Sequence, residues 1–443
     1  MSKASRAANA QPESGTVADL THEAEGVVRA ANAKTVFVAG ALPGEQITFR
    51  RRGFHKSHDE AELLSIEHAS PDRVAPRCAH FGVCGGCAMQ HLSPEAQLVS
   101  KQGELAANLE RIGNVTPGDW LPPLRGPHWN YRRRARLSSR YVSKKGRSLV
   151  GFREKQGKYV ADVTRCEVLA EPVGALVGTI AELLTSMDRR ESIPQVEVAL
   201  SDGERALVFR VLDPLTEADL GRLRAFETAH GLRLLLQPGG LDSIAPLTPG
   251  PLDLHYRLDA FDLKLDFGPT DFVQVNAAIN QSMVARAIEL LELGPADRVL
   301  DLYCGLGNFT LPMARRAAAV TGVEGEPALI ERARANARAN GIGNADFHVG
   351  DLSQPPDRTL SWMKSRYDAV LLDPPRVGAR EVLSAVAHLA PRRVVYISCH
   401  TGSLARDLGV LVHEHGFRLR AAGVLDMFPH TTHVESVAVL DRP

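Results

Sequence analysis

Five side chains able to do chemistry stand at one kind of position in the second half of the chain. Asp301, Glu324, Asp351, Asp373 and Cys399 fall at or beside the ends of short apolar runs: VLDLYC, AAVTGVE, ADFHVGD, YDAVLLD and RRVVYISC. Runs of this length, alternating with helical segments such as NQSMVARAIELLEL and ERARANARANG, read as parallel strands of a doubly wound α/β sheet from Leu265 onward. Ligands of such sheets bind outside the carboxyl ends of the strands. Acids there can meet a cation or ribose hydroxyls, and a thiol there can act as a nucleophile. A lone cysteine ending a buried strand is ordinarily a small core residue. Its company in this row favours the nucleophile.

The stretch DRVLDLYCGLGNFT, residues 297–310, narrows the ligand. Strand, glycine turn and helix form the opening of a nucleotide-binding βαβ unit. A dinucleotide needs three glycines so that its pyrophosphate can reach the helix N-terminus. Here there are two, Gly305 and Gly307, with Tyr303 and Cys304 inside the loop. S-adenosylmethionine (SAM) has no pyrophosphate, and a shorter loop closing over its methionine half suffices. Asp301 would face the positive amino-acid end. Glu324, nineteen positions past Gly305, stands where an acid binds a ribose hydroxyl pair.

A thiol beside a methyl donor suggests one reaction. Pyrimidine C5 is too weak a nucleophile to attack a sulfonium methyl. A thiolate adding at C6 makes C5 nucleophilic; a base then removes the C5 proton and the thiolate leaves. A free thiol titrates at roughly 8.5, so the site must stabilise the thiolate; Arg376 and nearby helix N-termini are the candidates. For the base, MFPHTTHVES offers His430, His433 and Glu435. Glu435 opens the last strand and points back to the same sheet face. The ring must leave its stack to be reached from both sides.

A second constellation lies in RCAHFGVCGGCAMQHL, with Cys78, Cys84 and Cys87 on a glycine-rich segment. In a reducing compartment such a cluster suggests a metal or catalysis. Four thiolates hold zinc or an iron–sulfur cluster, and Cys166 is the other cysteine of this half. One compact triple with a remote fourth is less typical of zinc than two tight pairs, which favours 4Fe–4S and leaves zinc as the alternative.

The remaining elements must position these groups. The chain has 443 residues, 44% of them apolar, a net charge of zero and six cysteines. That length suggests two or three domains with packed cores and excludes a disulfide scaffold. No apolar run approaches a membrane span, and the N-terminus lacks a secretory apolar segment, so a cytoplasmic protein is expected. Residues 1–15 read as a disordered tail and 16–72 as a small β-barrel. In the barrel, Arg50, Arg51, Arg52, His55 and Lys56 cluster at one turn, as in an oligonucleotide-binding fold. Residues 73–265 read as a central α+β domain. A helix is expected from Ser93 to Ile112, followed by the basic stretch NYRRRARLSSRYVSKKGR. From Arg132 to Arg147 it has eight basic residues and no acid, interleaved with Tyr131, Tyr141 and, just beyond, Phe152. Such a surface suits a phosphate backbone with splayed bases.

DFVQVN, DLYCGLGNFT, DPPR, YISC and FPHTTHVES, in this order, resemble the RNA uracil-C5 methyltransferases. The resemblance implies a class I SAM-dependent methyltransferase domain over 266–443. It also implies an N-terminal TRAM barrel, a central domain carrying a 4Fe–4S site, and 23S ribosomal RNA as the partner of a monomer. It implies SAM contacts for Gln274, Tyr303, Asn308, Glu324, Asp351 and Asp373. Cys399 is implied as nucleophile and Glu435 as proton-abstracting base. Cys78, Cys84, Cys87 and Cys166 are implied as cluster ligands. Two other readings compete: an exocyclic-amine RNA methyltransferase, which needs no thiol, and a non-catalytic RNA-binding factor with a SAM fold.

Overall fold

The computed structural model describes residues 10–29, 34–155 and 157–443. The chain divides into two compact units. The first runs to Lys101 and takes in Arg153–Ala161 and Pro429–Thr432. The second comprises Gln102–Phe152, Asp162–Phe428 and His433–Pro443. The single central domain expected over 73–265 is therefore divided: its cysteine segment goes with the barrel, its basic stretch and mixed sheet with the C-terminal half.

In the first unit, strands Pro12–Leu20, Glu25–Arg29, Thr35–Ala39, His58–His68 and Gln46–Phe54 close in that order into a five-stranded barrel. Alternation places Val17, Val28, Val36, Val38, Ile47, Phe49 and Ala61 inside. The tail expected through residue 15 is a strand from Pro12 onward, because Pro12–Thr16 pair in register with Gln46–Arg50; residues 1–9 lie outside those described. The basic turn is also less cationic than its sequence. Arg51 is buried, donates to both carboxylate oxygens of Glu13 at 2.7 and 2.8 Å, and donates to buried Asp59 at 2.6 Å. Lys34 donates to the same Asp59 at 2.5 Å. Arg50, Arg52 and Lys56 stay exposed.

The second unit contains two larger sheets. In the six-stranded one the order is Ala245–Pro246, Arg233–Gln237, Arg205–Arg210, Gln195–Leu200, Arg134–Val142, Arg147–Gly151. The basic stretch is the last hairpin of this sheet. Its charges are largely answered: Arg133 pairs with Asp202, Arg136 with Glu197, and Lys145 and Arg147 with Asp162. Tyr131 is buried, and Arg190 lies over the Tyr141 ring at 5.2 Å. Tyr131 is thus packed within the protein, and Tyr141 is half-buried beneath a cation.

The eight-stranded sheet carries the row of acids. Its order is Ala345–Val349, Ala319–Glu324, Arg298–Leu302, Ala369–Leu372, Arg393–Ser398, Glu435–Asp441, Arg418–Leu425, Asp119–Trp120. The first five strands are parallel; Glu435–Asp441 runs antiparallel to both its neighbours. The five parallel strands match the runs read from sequence to within one or two residues, and Ala277–Leu291 packs as a helix capped by Asn276, whose side chain accepts from Ile279 N.

Replacing Arg51 with Ala leaves Asp59 buried with Lys34 as its remaining cation. Urea denaturation of the full chain should show a loss of about 2 kcal/mol, whereas Arg50→Ala, at an exposed neighbour, should stay within about 0.5 kcal/mol.

Candidate active site

The site grows from one strand end. Val299, Leu300 and Leu302 are buried, and Asp301 sits in parallel register between Gly322 and Leu371. The backbone then turns sharply: Tyr303, Gly305 and Gly307 all have positive φ, at 65°, 54° and 100°. Glycine relieves the strain at two of these, while Tyr303 accepts it, held by its N–H to Val323 O at 2.9 Å and its hydroxyl to Leu352 O at 3.2 Å. Cys304 is a packing residue under the loop. A Cβ at position 322 would meet its sulfur at 2.9 Å, so glycine is required there. Glu324 ties the loop to the next turn: its carboxylate accepts from Gly305 N at 3.2 Å, Gly325 N at 2.7 Å and Glu326 N at 3.1 Å.

Asp301 is wholly buried (0% exposed). One oxygen accepts from the Thr310 hydroxyl at 2.5 Å; the other, Oδ1, has no partner. Burial pushes its carboxyl up to about 8, with Asp373 and Glu324 adding to the rise. Asp373 is itself pushed up to about 7 by burial. Acids buried together in this way form a place for a cation. Asp351 is exposed and held below the usual carboxylate range by the side-chain and backbone groups of Ser353.

Gln274 and Asn308 have different surroundings. Asn308 Oδ1 accepts from the Tyr256 hydroxyl at 2.9 Å and from Asn280 at 3.0 Å, and its amide donates back to Asn280 at 3.0 Å. The side chain thus anchors the glycine loop to two other segments. Gln274 lines a small cleft with Tyr256, Asn280 and Val273. Beside it Phe272 is 72% exposed, an aromatic ring free to stack.

Cys399 follows the strand Arg393–Ser398 and precedes the helix Thr401–His413, capped by the His400 ring accepting from Ser403 N at 3.1 Å. Ser398 is registered opposite Ser436 in the antiparallel partner, and the Ser436 hydroxyl donates to Ser398 O at 3.1 Å. Cys399 and Glu435 are the next residues beyond this last registered pair, and the Glu435 carboxyl acts electrostatically on the Cys399 thiol. Burial raises the Cys399 thiol to about 11; Glu435 and Asp373 push the same way, and Arg376 opposes them. Glu435 is 3% exposed and held well above the carboxylate range by burial and then by Asp373. At about 11 the Cys399 thiol keeps its proton near neutral pH. Ser403 fixes the DPPR loop by donating to Arg376 O at 2.9 Å. His430 belongs to the first unit, where its carbonyl accepts from Ala88 N and Met89 N, and His433 is exposed against Phe428.

In the first unit, Cys78, Cys84 and Cys87 are half-buried on one loop. Cys84 Sγ accepts from Gly86 N at 3.4 Å, and Gly85 lies so close to Arg153 O that a Cβ would meet it at 2.9 Å. Cys166 is buried in the second unit.

The model of the tRNA (Uracil-5-)-methyltransferase family matches residues 258–443. The chain is 49% identical over 433 residues to the 23S rRNA (uracil(1939)-C(5))-methyltransferase RlmD of Xanthomonas axonopodis pv. citri, covering 97% of each chain. It is 50% identical to that of Xylella fastidiosa, covering 96% of each. The chain belongs to the RlmD family. The fold of the crystal structure of Pyrococcus abyssi tRNA (uracil-54, C5)-methyltransferase in complex with S-adenosyl-L-homocysteine is also similar, with a TM-score of 0.72 and 24% identity over 97% of this chain and 100% of that one. In this RlmD-family chain, Tyr256, Asn280 and Thr310 escaped the reading of the sequence. Asn280 gave one signal: it stands on the apolar face of its helix with Met283, Val284 and Ala287, where a polar residue needs a reason.

Asp301→Asn tests the buried charge. Unfolded, an aspartate loses its proton near roughly 3.9; folded, Asp301 keeps it to about 8. Between these values the folded state holds the extra proton, so its stability falls as pH rises. The variant should melt higher than the parent without SAM, with a gain growing from about pH 5 to 8, and should bind SAM at least about tenfold more weakly by calorimetry.

Proposed function

We propose that this protein methylates C5 of a uridine in 23S ribosomal RNA, at nucleotide 1939, the position carried in the names of its relatives, using SAM and a covalent Cys399 adduct. The observation that carries the reading is that Cys399 and Glu435 both adjoin the last registered pair of their two strands, with Glu435 and Asp373 near enough to act on the thiol. The unpartnered Asp301 Oδ1, with Asp373 and Glu324 near it, fits the cationic methionine half of SAM. Glu324 and the exposed Asp351 fit its ribose and base, Tyr303 and Gln274 flank it, and Asn308 holds the loop over it. Bound there, SAM supplies an electrophilic methyl group.

The protein's own residues do the rest. The Cys399 proton must pass to water and Glu435 must be ionised to act as a base; a cation held at the acid cluster would favour both by stabilising the negative charge they create. The thiolate sulfur bonds to C6 and the C5–C6 electron pair moves into an enolate, which makes C5 nucleophilic. After methylation Glu435, a stronger base in its apolar setting than in water, takes the C5 proton. The C5–C6 double bond re-forms and the C6–S bond breaks, returning the thiolate.

A second part of the reading concerns Cys78, Cys84 and Cys87, for which we propose a 4Fe–4S cluster with Cys166 as fourth ligand. Three thiols on one tight loop, one of them already accepting a backbone N–H, suit a sulfur-ligated cluster. Its role is structural, fixing a loop that has little apolar core of its own.

Two experiments follow. With labelled SAM and unmodified 23S RNA, wild-type protein should yield 5-methyluridine, Cys399→Ala none. A 5-fluorouridine substrate, which has no C5 proton to lose, should join RNA and protein through Cys399; an active Cys399→Ala would support amine methylation instead. Separately, Cys84→Ser should lose iron, sulfide and visible absorbance and melt lower; stoichiometric zinc without iron in the wild type would replace the cluster with zinc.

A further inference from the structure

The helix that follows Cys399 grips the loop that carries Arg376. Ser403, Arg406 and Asp407 stand at i, i+3 and i+4 of Thr401–His413 and so share one face. Ser403 Oγ donates to Arg376 O at 2.9 Å, Arg406 Nη2 donates to Val377 O at 2.8 Å, and Asp407 Oδ2 accepts from Ala379 N at 2.7 Å. The residue left over, Gly378, has a φ of 88°, and a Cβ there would meet Arg406 Nη2 and Asp407 Oδ2, each at 2.5 Å. Backbone groups of 376, 377 and 379 are thus each fastened to the helix, and only glycine fits between them.

Asp407 has a second hold. Its Oδ2 also accepts from the Tyr396 hydroxyl at 2.7 Å, and its Oδ1 accepts from Arg406 Nε at 2.8 Å. Asp407 is 0% exposed, and so is Tyr396, which lies on the strand Arg393–Ser398, three positions before Cys399. One carboxylate therefore joins the strand before Cys399, the helix after it and the Arg376 loop. An amide could not replace it: its NH2 group would turn a donor toward either the Arg406 guanidinium or the Ala379 N–H.

The loop so held presents Arg376. Among the described residues its exposed guanidinium has no hydrogen bond or ion pair, so the backbone is the part that is fixed. The charges that bear on the Cys399 thiol come from Glu435 on the last strand and from Asp373 and Arg376 on either side of the two prolines. The two acids add to burial in raising the thiol, and Arg376 lowers it. A cation at this place favours the thiolate.

We propose that Asp407 is a positioning residue of the methyl transfer: through Ala379 and Tyr396 it sets the Arg376 loop against the strand end that carries Cys399, so that the guanidinium bears on the thiol. The proposal rests on the reading of Cys399 as the nucleophile. Asp407 acts through Arg376 and is itself sealed from substrate.

The full chain tests it through the rate at which iodoacetamide alkylates Cys399 at pH 8, followed on the Cys399 peptide by mass spectrometry. Only the thiolate reacts. Asp407→Asn and Arg376→Gln should each slow alkylation at least about threefold. The double variant should be no slower than the slower single, because the two residues act in series. The kcat for methylation of a 23S RNA transcript should fall in the same pattern, with KM held to within about twofold. Removing a negative charge that acted directly on the thiol would speed alkylation, so slowing separates positioning from bare charge. Asp219→Asn, at the buried acid of the helix Glu217–His230, should melt lower and leave the rate unchanged, which separates positioning from general destabilisation. Should Asp407→Asn fail to fold, Tyr396→Phe keeps the ring, removes one donor to Asp407 and should slow alkylation at least about twofold. A wild-type or faster rate in folded Asp407→Asn, or in Tyr396→Phe, would overturn the proposal. So would a double variant slowed by the product of the two singles, or equal slowing in Asp219→Asn. Slower alkylation in the variants, from a wild-type protein that makes no 5-methyluridine, would overturn the methyltransferase reading and leave the positioning of Arg376 standing.

Discussion

Everything at the active site depends on negative charge gathered where the sheet provides no counter-charge. Three buried or nearly buried carboxylates elsewhere in the chain make the contrast. Glu45, 0% exposed, accepts from Arg73, Leu42 N and Ser70 N, and these hold it below the usual range although burial acts against them. Asp219, also 0% exposed, accepts from the backbone of Asp188 and Arg189 and from Thr216, with the same outcome. Asp59 has Lys34 and Arg51. Asp301 is as deeply buried as any of them, receives one hydroxyl, and is raised instead. Asp301 thus differs from these three in keeping a buried carboxylate oxygen without a partner.

The second constraint is geometric. Parallel strands bring a row of side chains to one sheet end, but they cannot set two residues face to face as an antiparallel pair does. The last strand reverses direction beside Arg393–Ser398, and that reversal brings a carboxyl to the strand end where the thiol follows. The thiol and the carboxyl come from segments 36 positions apart, Cys399 and Glu435, each next to the last registered pair, Ser398 and Ser436. Electrostatics and geometry are linked here, since Glu435 and Asp373 add to the burial that raises the Cys399 thiol. One cation at the cluster relieves all three.

The parallel strands, the helices between them and the closed barrel were legible in the sequence because each rests on local periodicity and turn chemistry. The row of strand-end acids was legible for the same reason. The basic clusters carry less free charge in the fold than in the sequence. Arg51 looks available for a polyanion, yet its partner Glu13 lies 38 positions away. Arg133 and Arg136 find Asp202 and Glu197 more than 60 positions away. Local charge density records what a segment carries, and the fold decides what remains for a ligand. The Tyr256–Asn280–Asn308 network was hidden for the same reason: three polar residues from three segments meet only when the chain is folded.

That network bears on how the loop can hold its ligand. Tyr303 sits at positive φ without the freedom of glycine, a conformation that persists only where the surroundings impose it. Val323 O, Leu352 O and Glu324 restrain the loop from one side, and Asn280 and Tyr256 restrain it through Asn308 from the other. With both flanks fixed, the loop is shaped before the ligand arrives, and little ordering remains to oppose binding. The same restraints leave the fully buried Asp301 little room to turn toward water. Its unsatisfied oxygen is held in the core.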